Sequence, residues 1–143
     1  MADWDRRFLN LAEYISAWSK DPSTKVGAVI SRPDNTIASL GYNGFPRYVD
    51  DGELRYANKA LKYKMVVHAE VNAILKAKEP LDGYTLYVHP LHPCASCAAI
   101  IIQSGISKVV TCVSDRPDWA ESFAIAKAMF CEAHVDVKVF GDA

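Results

Sequence analysis

His68-Ala69-Glu70 and, further along, Pro93-Cys94-Ala95-Ser96-Cys97 place one imidazole, one carboxylate and two thiols in two short motifs that a fold has to bring together if they are to act on one metal. Cys94 and Cys97 stand three apart, so on a helix they share a face and both sulfurs reach one point. His68 and Glu70 stand two apart, about 200° around an ideal helix, and converge only near a helix end. A helix starting at about residue 68 meets that requirement, and a second starting at Cys94 meets the same one for the thiols. The free N–H groups and positive dipole end of each favour thiolates and developing negative charge. The chain is thereby constrained to a fold in which two helix N-termini meet at one metal.

One imidazole and two thiolates form a zinc donor set, and three protein ligands leave the fourth position to a water whose pKa falls to about 7. The expected roles are His68, Cys94 and Cys97 as Zn2+ ligands and Glu70 as catalytic proton carrier. Taken alone, the C-x-x-C also fits structural zinc or a redox pair, and a lone histidine also fits a satisfied core position. A closed structural site, holding together a zinc-stabilised binding module without chemistry, would need His92 or His89 as fourth ligand and would leave Glu70 dispensable. A carboxylate two residues after the ligand histidine has no purpose in such a site, which favours chemistry.

A length of 143 residues predicts one domain over residues 1–143, burying about 68–70% of the extended surface. Half the residues are hydrophobic, the formal net charge is -1 and the pI about 6.4. That balance gives no global electrostatic case for a nucleic acid partner and leaves small anionic ligands to local basic residues. Four cysteines, two of them in a metal motif, with no signal peptide and no apolar run long enough for a bilayer, predict no membrane association and a reducing, cytoplasmic setting. Cys112 and Cys131 are expected to pack as small hydrophobes.

Trp4, Phe8, Leu11, Ile15 and Trp18 form an apolar helical stripe over 3–19, ended at Asp21-Pro22. Residues 26–31 and 36–41 read as a hairpin around the turn 32–35. A polar, aromatic connection follows over 44–67, with a short helix at 53–63. Helices at 68–78 (Val71, Ile74 and Leu75 inward), 94–103 (capped by Gly105) and 118–133 alternate with strands at 84–88, 108–113 and 135–140. The order αββαβαβαβ predicts an α/β fold: a mixed five-stranded sheet, mostly parallel toward its later half, with helices on both faces.

Five stretches carry a resemblance: Ser19-Lys-Asp-Pro-Ser-Thr-Lys-Val-Gly-Ala28, Gly41-Tyr-Asn-Gly-Phe-Pro46, His68-Ala-Glu-Val-Asn-Ala-Ile74, Pro93-Cys-Ala-Ser-Cys97 and Ile101-Ile-Gln-Ser-Gly-Ile106. H-x-E followed by P-C-x-x-C is the signature of zinc nucleobase deaminases. Over residues 10 to 113 the chain resembles deoxycytidylate (dCMP) deaminases, within the wider cytidine deaminase-like superfamily. The Gly-Tyr-Asn-Gly stretch and the long insertion before His68 narrow the likeness to that family. The resemblance implies a three-layer α/β/α cytidine deaminase-like fold, hydrolysis of dCMP to dUMP and ammonia, and homo-oligomeric relatives, often hexamers. It implies zinc on His68, Cys94 and Cys97, Glu70 as proton shuttle, Asn43 holding the sugar and the Ala69 backbone against the pyrimidine. Asn43 also reads as a turn former. Ser23 and Lys25 are candidates for the 5′-phosphate, with Arg47 and Arg116 as further cations, each of them otherwise ordinary surface charge. A deaminase of another free base, nucleoside or modified cytosine nucleotide is the alternative enzyme.

Three departures from the family pattern stand out. No cysteine precedes Cys94 and no histidine precedes His68, so the second metal site that family members often carry in the insertion is not expected. The approach Tyr87-Val-His-Pro-Leu-His-Pro-Cys94 is one residue longer than usual and brings His92 near the pocket, where packing is its expected role. The chain is also short for a family in which deoxynucleoside triphosphates often regulate activity.

Overall fold

A computed structural model describes residues 3–141. Five strands, β1 (Gly27–Ser31), β2 (Ile37–Tyr42), β3 (Thr85–His89), β4 (Lys108–Cys112) and β5 (Asp136–Phe140), form one sheet in the order β2-β1-β3-β4-β5. β1 is antiparallel to both β2 and β3, whereas β3–β4 and β4–β5 are parallel. The sheet is therefore mixed and parallel in its later half, as the element order predicts.

Alternation along the strands divides the core. Ala28 and Ile30, Leu86 and Val88, and Val109 face α4 (Ala69–Ala77), α5 (Ala95–Gln103) and α6 (Ala120–Glu132). Val29, Tyr87 and Val110 face α1 (Trp4–Ser16), which buries Phe8, Leu9 and Ala12 on them. α1 is capped by Asp3, whose carboxylate accepts from Arg6 N, and it ends at Ser16, earlier than the Asp-Pro stop predicts. Trp4 and Trp18, at the ends of the expected stripe, remain exposed. Among the described residues no helix is long and apolar enough to cross a membrane.

Expectations for 53–63, for α4 and for Cys131 are corrected. The helix at 53–63 is two helices, α2 (Glu53–Ala57) and α3 (Lys59–Met65), because Asn58 adopts extended backbone and its side chain caps α3 by accepting from Leu61 N. In α4 the fully buried apolar face is Ala69, Ala73 and Ala77; Val71 and Ile74 are partly buried against the same core, as expected, whereas Leu75 is 63% exposed. The reason is distance: a Cβ on Gly41 of β2 would lie 2.6 Å from Ala73 N and 2.8 Å from Ala69 O. α4 thus lies directly on the β2 backbone, and only small side chains fit between them. Cys112 is buried as expected, but Cys131 is exposed and does not pack. Gly105, at φ 92°, follows the α5 C-cap in the left-handed region expected there.

Candidate active site

His68 is the N-cap of α4 and Cys94 the N-cap of α5, with Glu70 in the first turn of one helix and Cys97 in the first turn of the other. Both helices cover the same sheet face and their N-termini meet. His68 Nδ1 lies 3.1 Å from Cys97 Sγ and 3.5 Å from Cys94 Sγ. The three ligand atoms fall within 4.8 Å of one another, and among the described residues no other such group occurs.

Residues 41–44 hold this end of α4. Tyr42 O accepts from Asn72 Nδ2 at 2.8 Å, and Ser39 Oγ donates to Ala73 O at 2.7 Å. Gly44 and Val67 exchange backbone hydrogen bonds of 3.1 and 2.8 Å immediately before His68. The α5 end is fixed by Ala95 N donating to Ser122 Oγ of α6 at 2.9 Å.

The electrostatics fit a soft divalent cation. The Cys94 thiol is pulled down to about 3, first by the Cys97 thiol donating to it and then, against its burial, by His68 and Ser96. The same hydrogen bond, with burial, holds the Cys97 thiol well above its ordinary range. Hydrogen bonding to Cys94 raises His68 against its burial. Two sulfurs and an imidazole nitrogen thus face one point, and Zn2+ is the cation that this nitrogen and sulfur set suits. His89 and His92 are not members of the group, so three protein ligands are present and the closed four-ligand arrangement is not formed. Glu70 is buried at 4% exposure, and desolvation raises its carboxyl to about 7, against the lowering influence of His68.

A cleft enclosing about 610 Å³ opens from this point. Its lining joins the metal-type group, with His68, Ala69, Glu70 and Cys94, to apolar Val26, Val66, Leu91, Trp119 and Phe123, to His92, and to a polar group of Asp21, Thr24, Asn43, Lys62, Tyr63 and Arg116. An apolar slot between a metal and a polar mouth suits a flat ring bearing a polar tail. Ala69 stands at the first helical position, where amides lack an intrahelical partner.

The phosphate candidates separate. Arg116 lines the mouth; Ser23, Lys25 and Arg47 do not. Lys25 donates to the Ser19 carbonyl, and Ser23 Oγ donates to Asp21 while accepting from Lys62 at 2.9 Å. Asn43 lines the cleft, yet its amide is already engaged: Oδ1 accepts from Val26 N at 2.8 Å and Nδ2 donates to Thr24 O at 2.9 Å. His92 packs against Phe123 and Phe130, with Nδ1 2.8 Å from Pro93 O and burial lowering its pKa. Its Nε2 is buried without a partner.

Sequence reasoning missed Lys62 and Asp21, an ion pair of 3.1 Å with side chains 4% and 3% exposed. Burial pushes the Asp21 carboxyl up, but the amides of Ser23 and Thr24 together with Lys62 outweigh it and hold the group below its ordinary value. No local signal marks Lys62, since it sits among other lysines of α3 and its partner lies far back in the chain.

A family model described as the cytidine and deoxycytidylate deaminase zinc-binding region matches residues 2–113. The chain belongs to this family. A protein of Aliivibrio fischeri named "uncharacterized deaminase in luxG 3'region" is 44% identical, over 96% of this chain and 93% of that protein. Human deoxycytidylate deaminase is 36% identical, over 96% of this chain and 80% of that protein. The crystal structure of dCMP deaminase from the cyanophage S-TIM5 in apo form superimposes with a TM-score of 0.71 at 26% identity, covering 95% of this chain and 96% of that one. The family is a zinc-binding one, in agreement with the donor set of His68, Cys94 and Cys97.

Proposed function

We propose that this protein hydrolyses dCMP to dUMP and ammonia. The observation that carries the reading is the buried Glu70 carboxyl beside the three zinc ligands, at the inner end of a cleft whose mouth holds Lys62 and Arg116. The likeness to human deoxycytidylate deaminase supplies the substrate. Zinc held by His68, Cys94 and Cys97 supplies activation of water.

Glu70 carries the protons. A carboxyl poised at about 7 both accepts and releases a proton near neutral pH. It takes one from water as the water oxygen bonds to the amine-bearing carbon, and delivers it to the adjacent ring nitrogen; it then takes the second proton from the new hydroxyl and passes it to the amine as the C–N bond breaks and ammonia leaves. Val26, Val66, Leu91 and Trp119 flank the pyrimidine, the Ala69 backbone contacts its polar edge, and Asn43 turns toward the sugar the N–H whose contact with Asp21, at 3.5 Å, is the longest its amide makes. Lys62 and Arg116 face the 5′-phosphate. A homo-oligomer in the cytoplasm belongs to the same reading; the exposed Tyr48 and Leu54 are side chains that a second copy would cover, and sedimentation measures it.

The test is ammonia release by the zinc-loaded protein from dCMP, CMP, deoxycytidine, cytosine, dCTP and guanine, with Glu70→Gln alongside. Preference for dCMP, abolished in the variant while zinc is retained, is the expected result. Turnover of a different member, or of none, overturns the dCMP reading.

A further inference from the structure

Arg116 stands on the loop between β4 and α6, three residues before Trp119. Its Nη1 donates to Thr24 Oγ1 across the cleft mouth at 3.2 Å, and its Nε and Nη2 donate to the Asp118 carboxylate at 3.0 and 2.8 Å. Trp119 follows directly and forms the wall at the metal end. Its ring meets His68 edge-on with centroids 6.2 Å apart, meets Tyr63 at 5.9 Å and stacks on Phe123 at 6.4 Å. One guanidinium therefore joins the 21–24 loop to the segment that carries the aromatic wall.

Donors remain free for a ligand. A guanidinium has five N–H groups, of which these contacts use three, while the Lys62 ammonium, held by both Asp21 oxygens at 3.3 and 3.1 Å and by Ser23 at 2.9 Å, adds its charge beside them. Asp118 is 55% exposed on its side chain, so its grip on Arg116 is that of a weak surface pair and yields to a competing anion. Lys62, paired in the interior, keeps its place.

We propose that Arg116 is a positioning residue through which the substrate phosphate acts on the chemistry at the far end of the cleft. Occupation of its open N–H groups by a phosphate, shared with Lys62 and Thr24, locks the 116–119 segment to the 21–24 loop. Trp119 is thereby fixed as the wall that holds the ring against Glu70. Binding energy from the non-reacting end of the substrate is then used for orientation, so the phosphate raises kcat as well as lowering KM. The proposal rests on the nucleotide reading of the cleft, and its direct consequence is that free phosphate partly restores turnover of a substrate lacking its own.

The experiment uses the zinc-loaded full chain as wild type, Arg116→Gln, Arg116→Lys and Trp119→Phe, with inorganic phosphate as the probe. Titrated phosphate is expected to change tryptophan fluorescence saturably in the wild type and to leave Trp119→Phe and Arg116→Gln unchanged. Phosphate is also expected to raise kcat/KM for deoxycytidine roughly tenfold in the wild type, against less than about twofold in Arg116→Gln. On dCMP, Arg116→Lys recovers KM but not kcat, since a point charge cannot span Thr24 and phosphate together. A wild type whose Trp119 signal ignores phosphate, or an Arg116→Gln protein that raises KM with kcat intact, overturns the proposal. If dCMP is turned over and the fluorescence is silent, the coupling fails while the substrate reading stands. If neither dCMP nor deoxycytidine is turned over, the substrate reading has failed, and a phosphate signal lost in Arg116→Gln still supports the coupling.

Discussion

Replacing Glu70 with glutamine removes the proposed proton carrier, and it also removes a charge that the zinc-free fold holds at a penalty. Burial raises the carboxyl from 4.5 to about 7, so the native state binds the proton more tightly than the unfolded chain does. Stability contributed by this group is therefore present below pH 4.5 and is lost as pH rises through 7. Fully ionised at pH 8, Glu70 destabilises the metal-free protein by about 3 kcal/mol. Glutamine has nearly the same shape and no charge. The expected result, by urea unfolding of chelator-treated protein, is that Glu70→Gln matches the wild type near pH 4.5 and exceeds it by about 3 kcal/mol at pH 8. Other titrating groups, among them His68 and Cys94, are common to both proteins and largely cancel in the difference. Zinc shrinks the gap, because a cation beside the carboxylate favours its ionised form. A gap that does not vary with pH, or a variant less stable at pH 8, would refute the claim that Glu70 is held near neutrality by desolvation.

Cys97→Ala takes one of three ligands from the site and is expected to lose zinc together with the stability that zinc confers, read by metal analysis and thermal unfolding. Lys62→Met strands the buried Asp21 carboxylate and is expected to destabilise by about 3–5 kcal/mol in urea unfolding. Lys20→Met, from the exposed pair with Asp51, is expected to leave the urea midpoint nearly unchanged in the same assay. Gly41→Ala puts a Cβ 2.6 Å from Ala73 N and is expected to lower stability by about 1–3 kcal/mol, with weaker zinc retention in a chelator competition because α4 carries His68.

The zinc ligands were legible because helix geometry turns residue spacing into direction. Two residues apart at His68 and Glu70 and three apart at Cys94 and Cys97 left helix N-termini as the one place of convergence, and both motifs lie there. β1 was legible as a continuous apolar run because both of its faces are buried, Ala28 and Ile30 in one core and Val29 in the other. Hydrophobicity misled in α4, where Leu75 reads as core and Ala73 as neutral. The inward face was selected by the room left beside Gly41, a distance between elements far apart in sequence.

Long-range pairing also hid the polar mouth of the cleft. Lys62 is one lysine among several until Asp21 meets it, and Lys25, which looked better placed by sequence, spends its ammonium on the Ser19 carbonyl. The Gly41-Tyr-Asn-Gly44 stretch, by contrast, carried more than the resemblance implied. Gly41 admits α4, Tyr42 O holds Asn72, the Asn43 amide ties Val26 and Thr24, and Gly44 pairs with Val67 next to His68. Four consecutive residues thus connect the cleft mouth to the first zinc ligand. A substitution that loosens any of them is expected to disturb His68 and the 21–26 loop together, so that zinc retention in a chelator competition falls and KM for dCMP rises in the same variant.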